Sequence, residues 1–150
     1  MSDKLFTLDT NILVYAIDRD SKEKHARAKE VVNQAMSLNC VLTIQALGEL
    51  YTTTTRKKYA TSTEIMYFIE GLMEVFPTVA ASSTTLILAI NSLKRYSMSF
   101  WDAMLWATVK ESNCKFILSE DFQHNSSIDG IKIINPLLED VSLEQLFQLV

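Results

Sequence analysis

The chain has 150 residues, 48% of them apolar and 21% charged, with three glycines and two prolines. This is one domain's worth of sequence, with material for a sizeable core and too few turn-forming residues for a disordered chain, a collagen or a many-turned β-sandwich. Fourteen Lys and Arg against eighteen Asp and Glu leave a net charge of −4, so contact with a polyanion must run through a local basic patch or through metal ions.

Short β-rich segments alternate with helical periodicity. Leu5 to Leu8 reads as a strand, followed by a helix from Asn11 to Ile17. Lys22 to Leu38 continues as an amphipathic helix with Ala28, Val31, Val32, Ala35 and Met36 inward. Cys40 to Ile44 is a second strand, and Gln45 to Lys58 a helix with Leu47, Leu50, Tyr51 and Thr54 at i, i+3, i+4, i+7. Thr63 to Glu74 repeats that spacing through Ile65, Phe68, Ile69 and Leu72. Phe76 to Ala80 is a third strand and Ser83 to Tyr96 a helix. Phe100 to Glu111 is a helix apolar almost all round, Lys115 to Leu118 a strand, and Ile131 to Ile134 the last strand, closed by Asn135 and Pro136. In the tail, Ser142 and Gln145 have capping-box spacing, and Leu143, Leu146, Phe147 and Val150 form a stripe expected to pack on the domain.

No repeat or linker divides the chain, so residues 1–150 are expected to form one α/β domain with 137–150 as its helical tail. Repeated βα units imply right-handed crossovers and a mostly parallel sheet covered on both faces, with ligands at the carboxyl ends of the strands. Cys40 and Cys114 are the only cysteines; they exclude a disulfide framework and a four-thiolate zinc site, and make the reducing cytoplasm the simplest setting. Met1 to Phe6 lacks the basic and apolar regions of a signal peptide. The charge-free runs Val31 to Gly48 and Val75 to Leu93 are broken by Asn33, Gln34, Asn39 and Gln45 and by Pro77, Ser82, Ser83, Thr84 and Thr85, so neither reads as a membrane helix.

Four carboxylates stand out by position. Asp9 directly follows the first strand, ahead of Thr10 and Asn11, and can cap the next helix. Such an aspartate also opens the phosphoaspartate site of haloacid-dehalogenase-like phosphatases, but Asn11 stands where their general acid would be. Glu49 lies one turn into the helix after the second strand; as an ordinary surface residue it would meet Thr53. Asp102 sits among Phe100, Trp101, Ala103, Met104, Leu105, Trp106 and Ala107, where a buried carboxylate needs a partner, and Ser99 with Asp102 has capping-box spacing. Asp121 follows the strand ending at Leu118, after Ser119 and Glu120, and can cap a short turn.

One edge of a parallel sheet can collect all four. Converging carboxylates repel and protonate, whereas Mg²⁺ or Mn²⁺ takes oxygen ligands, keeps several waters and bridges to phosphate. Such ions activate water for phosphodiester cleavage, so no nucleophilic side chain is needed.

The remaining features read more plainly. Arg56, Lys57 and Lys58, the densest basic run, suit a solvated helix end or a grip on a phosphate backbone of the substrate. Lys22, Lys24, Arg27 and Lys29, interleaved with Glu23 and Glu30, read as a solvated face, and Glu120 as a solvated neighbour of Asp121. His25 and His124 are too few for a zinc site and read as surface residues. Gly48, Gly71 and Gly130 lack the spacing of a phosphate-cradling loop. Trp101, Trp106, Phe68 and Phe76 fall on apolar faces and strands and read as core.

The series Leu8-Asp9-Thr10-Asn11, Gly48-Glu49-Leu50-Tyr51, Trp101-Asp102-Ala103, Leu118-Ser119-Glu120-Asp121-Phe122 and Asn135-Pro136 resembles the PIN domain, particularly the VapC-type toxin ribonucleases, over about the whole chain. The resemblance implies a single PIN-like α/β domain with a parallel five-stranded sheet of order 3-2-1-4-5 flanked by helices. It also implies a Mg²⁺ or Mn²⁺ centre and endonucleolytic cleavage of RNA by the toxin of a type II toxin-antitoxin pair. A homodimer and an antitoxin inserted near the acids come with it. Asp9, Glu49, Asp102 and Asp121 then match the family's acidic metal-binding quartet, Asn11 and Ser119 its supporting polar positions, and Thr10 the middle of its first motif. Asp121 matches the most variable of the four, and the helical tail after Leu137 departs from the shorter family pattern. A non-catalytic RNA-binding or scaffold module of this fold and a metal-dependent phosphatase are the competing classes.

Overall fold

Strands covered on both faces need unbroken runs of aliphatic residues, and four such runs build the middle of the molecule. The computed structural model describes Lys4 to Val150; Met1, Ser2 and Asp3, part of the segment assessed for a signal peptide, lie outside the described residues. The elements are β1 (Leu5–Leu8), α1 (Thr10–Tyr15), α2 (Glu23–Ala35), β2 (Cys40–Thr43), α3 (Ile44–Arg56), α4 (Ser62–Val75), β3 (Thr78–Val79), α5 (Ser83–Ser92), α6 (Phe100–Glu111), β4 (Cys114–Leu118), β5 (Ser127–Ile128), β6 (Ile131–Ile134) and α7 (Leu143–Leu149). The sheet order is β3-β2-β1-β4-β6-β5. Every pairing is parallel except that of β5, which runs antiparallel to β6. The sheet therefore has six strands rather than five. The extra one, β5, is two residues long and carries no periodic signal; without it the order is 3-2-1-4-5.

Period-two alternation sorts the strand side chains into two layers. Phe6, Leu8, Phe116, Leu118 and Ile134 face a core closed by α1 to α4 and α7. Val41, Ile117, Ile131 and Ile133 face a second core closed by α5 and α6. Leu143 and Leu146 of α7 and Val150 just beyond it are buried in the first core, and the Phe147 ring lies 6.2 Å from that of Phe6.

Element boundaries move where the backbone forbids continuation. The first two helices are separate: Asp18 caps a 3₁₀ turn at Arg19–Ser21, and Lys22 stands at φ 49, where a helix cannot continue. α5 ends at Ser92 rather than Tyr96, and the third strand shrinks to Thr78–Val79 because Pro77 has no N–H for a ladder. Arg27 is not on a solvated face. Its guanidinium donates to the carbonyl oxygens of Pro136 (2.9 Å), Leu138 (3.3 Å) and Val141, and so ties α2 to the chain entering α7. Among the described residues no helix is long and apolar enough to cross a membrane.

Candidate active site

Parallel pairing of β1 with β4 sets Leu8 opposite Leu118, so the residues that follow each strand emerge side by side. The Asp9 amide donates to the Leu118 carbonyl (2.9 Å) and continues that register. At the start of α1, Asp9 Oδ1 accepts from the Thr10 amide (2.7 Å), the helix-capping bond, while Oδ2 accepts from the Ser119 hydroxyl (2.7 Å). Capping and site placement are thus the same geometry. Ser119 is fully buried. Its oxygen accepts from Asn11 Nδ2 (3.3 Å) and from the Asp121 amide (3.1 Å), and Asn11 Oδ1 accepts from the Glu120 amide (3.3 Å). Asn11 and Ser119 together fold the loop after β4 back over Asp9.

The other two acids arrive on helices. Glu49, in the second turn of α3, does not meet Thr53. Its Oε2 accepts from the Thr10 hydroxyl (3.1 Å) and its Oε1 from Gln45 Nε2 (2.9 Å). Gln45 Nε2 also donates to the Trp101 carbonyl (3.1 Å), linking α3 to the start of α6. Asp102 is half-buried; its amide donates to the N-cap hydroxyl of Ser99 (3.1 Å), the forward bond of the capping box.

The charges read one another. Burial is the main cause that lifts the Asp9 carboxyl from 3.8 to about 6; the bonds from Ser119 and Thr10 oppose the rise, and the charges of Asp121 and Asp102 add to it. Asp102 is also raised, first by burial and then by Asp121 and Glu49, against the bond from Ser99. All four acids therefore lie within one electrostatic neighbourhood. Among the described residues the ion pairs are Lys24 with Glu120 (2.9 Å) and Lys110 with Asp129 (2.7 Å), so none of the four is paired with a Lys or Arg.

An all-oxygen, uncompensated donor set of this kind suits Mg²⁺ or Mn²⁺. Among the described residues no three His, Cys, Asp or Glu side chains are arranged to hold an ion by themselves, so a cation here would take one or two of these carboxylates directly and water at its other positions. Asp9 has one lone pair free on each oxygen beyond the bonds described.

Other residues sit differently from their sequence reading. Arg56, Lys57 and Lys58 are exposed at the far end of α3, with Lys57 about 12 Å along the helix axis from Glu49. They make no ion pair with the acids. Glu120 is no solvated neighbour: it accepts from the Tyr15 hydroxyl (2.6 Å) and from the Nζ of Lys24 (2.9 Å), which itself stays exposed on its face. His25 and His124 are half-buried; His25 Nδ1 lies 2.8 Å from the Tyr15 carbonyl and His124 Nδ1 accepts from the Asn135 amide (3.0 Å). Trp106 and Phe76 are core, but Trp101 is 61% exposed. Gln45 was the missed site residue; its signal is the i, i+4 spacing to Glu49 on one helix face.

A family model described as PIN domain matches residues 6–126. No curated protein matches in sequence. Three solved structures each superpose with a TM-score of 0.62. VapC20 of Mycobacterium tuberculosis, a Sarcin-Ricin loop cleaving toxin, is 16% identical over 77% of this chain and 89% of its own. A toxin-antitoxin complex from Klebsiella pneumoniae is 19% identical over 89% and 97%, and a DNA-bound VapBC from Salmonella typhimurium 16% identical over 87% and 96%. At such identities the likeness is one of fold.

Proposed function

From the premise that this chain belongs to the PIN domain family, we propose that it is a Mg²⁺- or Mn²⁺-dependent endoribonuclease, the toxin of a type II toxin-antitoxin pair. The observation that carries this reading is the cluster of Asp9, Glu49, Asp102 and Asp121, whose charges act on one another with no Lys or Arg paired to any of them. Assembling four acids without a compensating group costs stability, and a divalent cation is the group that offsets it.

In this reading Asp9, Glu49 and Asp102 surround the principal ion with Asp121 completing the site, one or two of them bound directly and the rest through waters that the ion keeps. When bound, the cation supplies an acidified water for attack and positive charge for the leaving oxygen. The chain's own residues do the positioning. Ser119 and the Thr10 amide fix the two oxygens of Asp9, Thr10 and Gln45 fix those of Glu49, and Asn11 with Ser119 sets the loop that carries Asp121. Asn11 is spent on that loop and supplies no general acid, which weighs against the phosphatase class.

Partners follow the same premise. An apolar cleft between α3 and α4, lined by Ile44, Leu47, Tyr51, Met66 and Met73, includes Gly48 beside Glu49. It offers an antitoxin helix a seat next to the acids. Leu86, Ile87, Ile90 and Leu93 are exposed along and just beyond α5 and offer a face for a second copy of the chain.

The test is incubation with total cellular RNA in Mg²⁺ or Mn²⁺, with EDTA and Asp9→Asn as controls and p-nitrophenyl phosphate as the competing substrate. RNA cut at discrete sites only by wild type with metal is the expected result. Intact RNA alongside hydrolysed p-nitrophenyl phosphate would move the assignment to a phosphatase. Intact RNA with neither substrate turned over would leave a binding module.

A further inference from the structure

One conspicuous feature beside the acids has no part in holding them. Trp101 leaves 61% of its surface in water, although Trp106, five residues on in the same helix, is 2% exposed. An indole is among the largest apolar side chains and is ordinarily covered.

This one has an aromatic neighbour and an anchored backbone. Its ring meets Phe100 edge-on, with centroids 5.0 Å apart and planes at 69°. Its carbonyl is bound by Gln45 Nε2, the atom that also holds Glu49 Oε1. The next residue in the chain is Asp102, and from Ala103 to Val109 the helix is buried. The residue that bears this exposed aromatic face is therefore tied through its backbone to Asp102 on one side and to Glu49 through Gln45 on the other.

We propose that Trp101, backed by Phe100, is the stacking platform for an unpaired base of the RNA next to the bond that is cut. The proposal rests on the ribonuclease reading and adds to it how the strand is gripped. Four acids and a net charge of −4 repel a phosphate backbone, and the basic run at Arg56 to Lys58 stands at the far end of α3. A divalent cation offsets the acids at the phosphate being cut, and the neighbouring nucleotides need a further grip of their own. Stacking is that grip, because every base has a flat face and an aromatic side chain accepts any of them. A protein partner would find larger aliphatic surface on α4 and α5, where Met66, Met73, Ile87 and Ile90 are exposed; at Trp101 it would meet acids.

The test uses the full chain. Tryptophan emission is followed in the Asp9→Asn background while short single-stranded RNA is added, with an abasic strand of equal length as control. Cleavage by the otherwise wild-type chain is measured with Trp101→Ala, Trp101→Phe and Trp101→Leu. Base-containing RNA should quench emission, the abasic strand should not, and Trp101→Phe should remove the quenching because the remaining Trp106 is buried. Trp101→Ala and Trp101→Leu should raise KM about ten- to a hundredfold with kcat nearly kept, and Trp101→Phe should restore most of the loss.

Equal KM for wild type and Trp101→Ala, in a chain that does cleave RNA, overturns the platform and leaves the nuclease standing. So does a change of subunit association by sedimentation with RNA affinity unaltered, which would make Trp101 a protein contact. No cleavage by the wild-type chain overturns the ribonuclease reading itself and the platform with it.

Discussion

Asp9 and Glu49 are both carboxylates of the same cluster, yet they are held in opposite ways. Asp9 grows out of the sheet: it is 6% exposed, its amide continues the β1–β4 ladder, and its bonding partners are a backbone amide and a buried hydroxyl. Glu49 stands on a helix, half-exposed, and is held by side chains alone, those of Thr10 and Gln45. The sheet-borne acid has its position dictated by the fold and bears a penalty for its charge. The helix-borne acid has adjustable position and stays in contact with water. A site built from both has one fixed anchor and movable ligands around it, which suits a hydrated ion and a large substrate.

The comparison is broken most severely by removing the anchor's charge. Asp9→Asn should lower metal-dependent cleavage on the order of a thousandfold or more, measured as kcat/KM, while circular dichroism stays native. The same substitution should stabilise the metal-free protein. The folded carboxyl titrates at about 6 against an ordinary 3.8, so the folded state binds a proton more tightly than the unfolded state. Stability from this group is full below pH 4 and is lost as pH rises through 6. In EDTA, denaturant melts should therefore show wild type weakening between pH 4 and 6 by up to roughly 3 kcal/mol relative to Asp9→Asn, then running level. A flat difference across that range would remove the strained anchor.

Divalent cation should recover that cost. At a concentration one hundred times its Kd, Mn²⁺ should stabilise wild type by about 2.7 kcal/mol and leave Asp9→Asn nearly unmoved, read as a Tm difference. Loss of a positioning bond has a smaller effect. Ser119→Ala takes a bond from the buried Asp9 oxygen and should cost about ten- to a hundredfold in activity; Gln45→Ala acts on a half-exposed acid and should cost less than tenfold. A larger loss for Gln45→Ala than for Ser119→Ala would reverse the ranking of fixed and movable acids. Smallest of all, Lys57→Glu with Lys58→Glu should weaken RNA binding severalfold and flatten its salt dependence, with metal affinity unchanged.

Strand positions and the pairing of acids with strand ends were legible because they depend on local patterns, whereas the sheet order came only with the family resemblance. Alternation and aliphatic runs mark β1, β2, β4 and β6, and an acid after such a run lies at a carboxyl end in any parallel sheet. The two-residue strands β3 and β5 were blurred or missed because two residues hold no period. Glu120 and Arg27 were misread for a different reason. Charged side chains that look alike in sequence are sorted by what stands opposite them, here Tyr15 and the carbonyls around Pro136, more than ninety positions away in the case of Glu120 with Lys24.

Residue order alone determined the βα alternation, the family pattern, three acids at strand ends or helix starts and Glu49 one turn into its helix, since each is a property of short stretches. Tertiary structure decided that Ser119 meets Asp9 across 110 positions, that Gln45 joins Glu49 to Trp101, and that one tryptophan of a nearly all-apolar helix faces water while the other is core. The reason is that hydrogen bonds and burial depend on which surfaces the sheet brings face to face, and no local period encodes that choice.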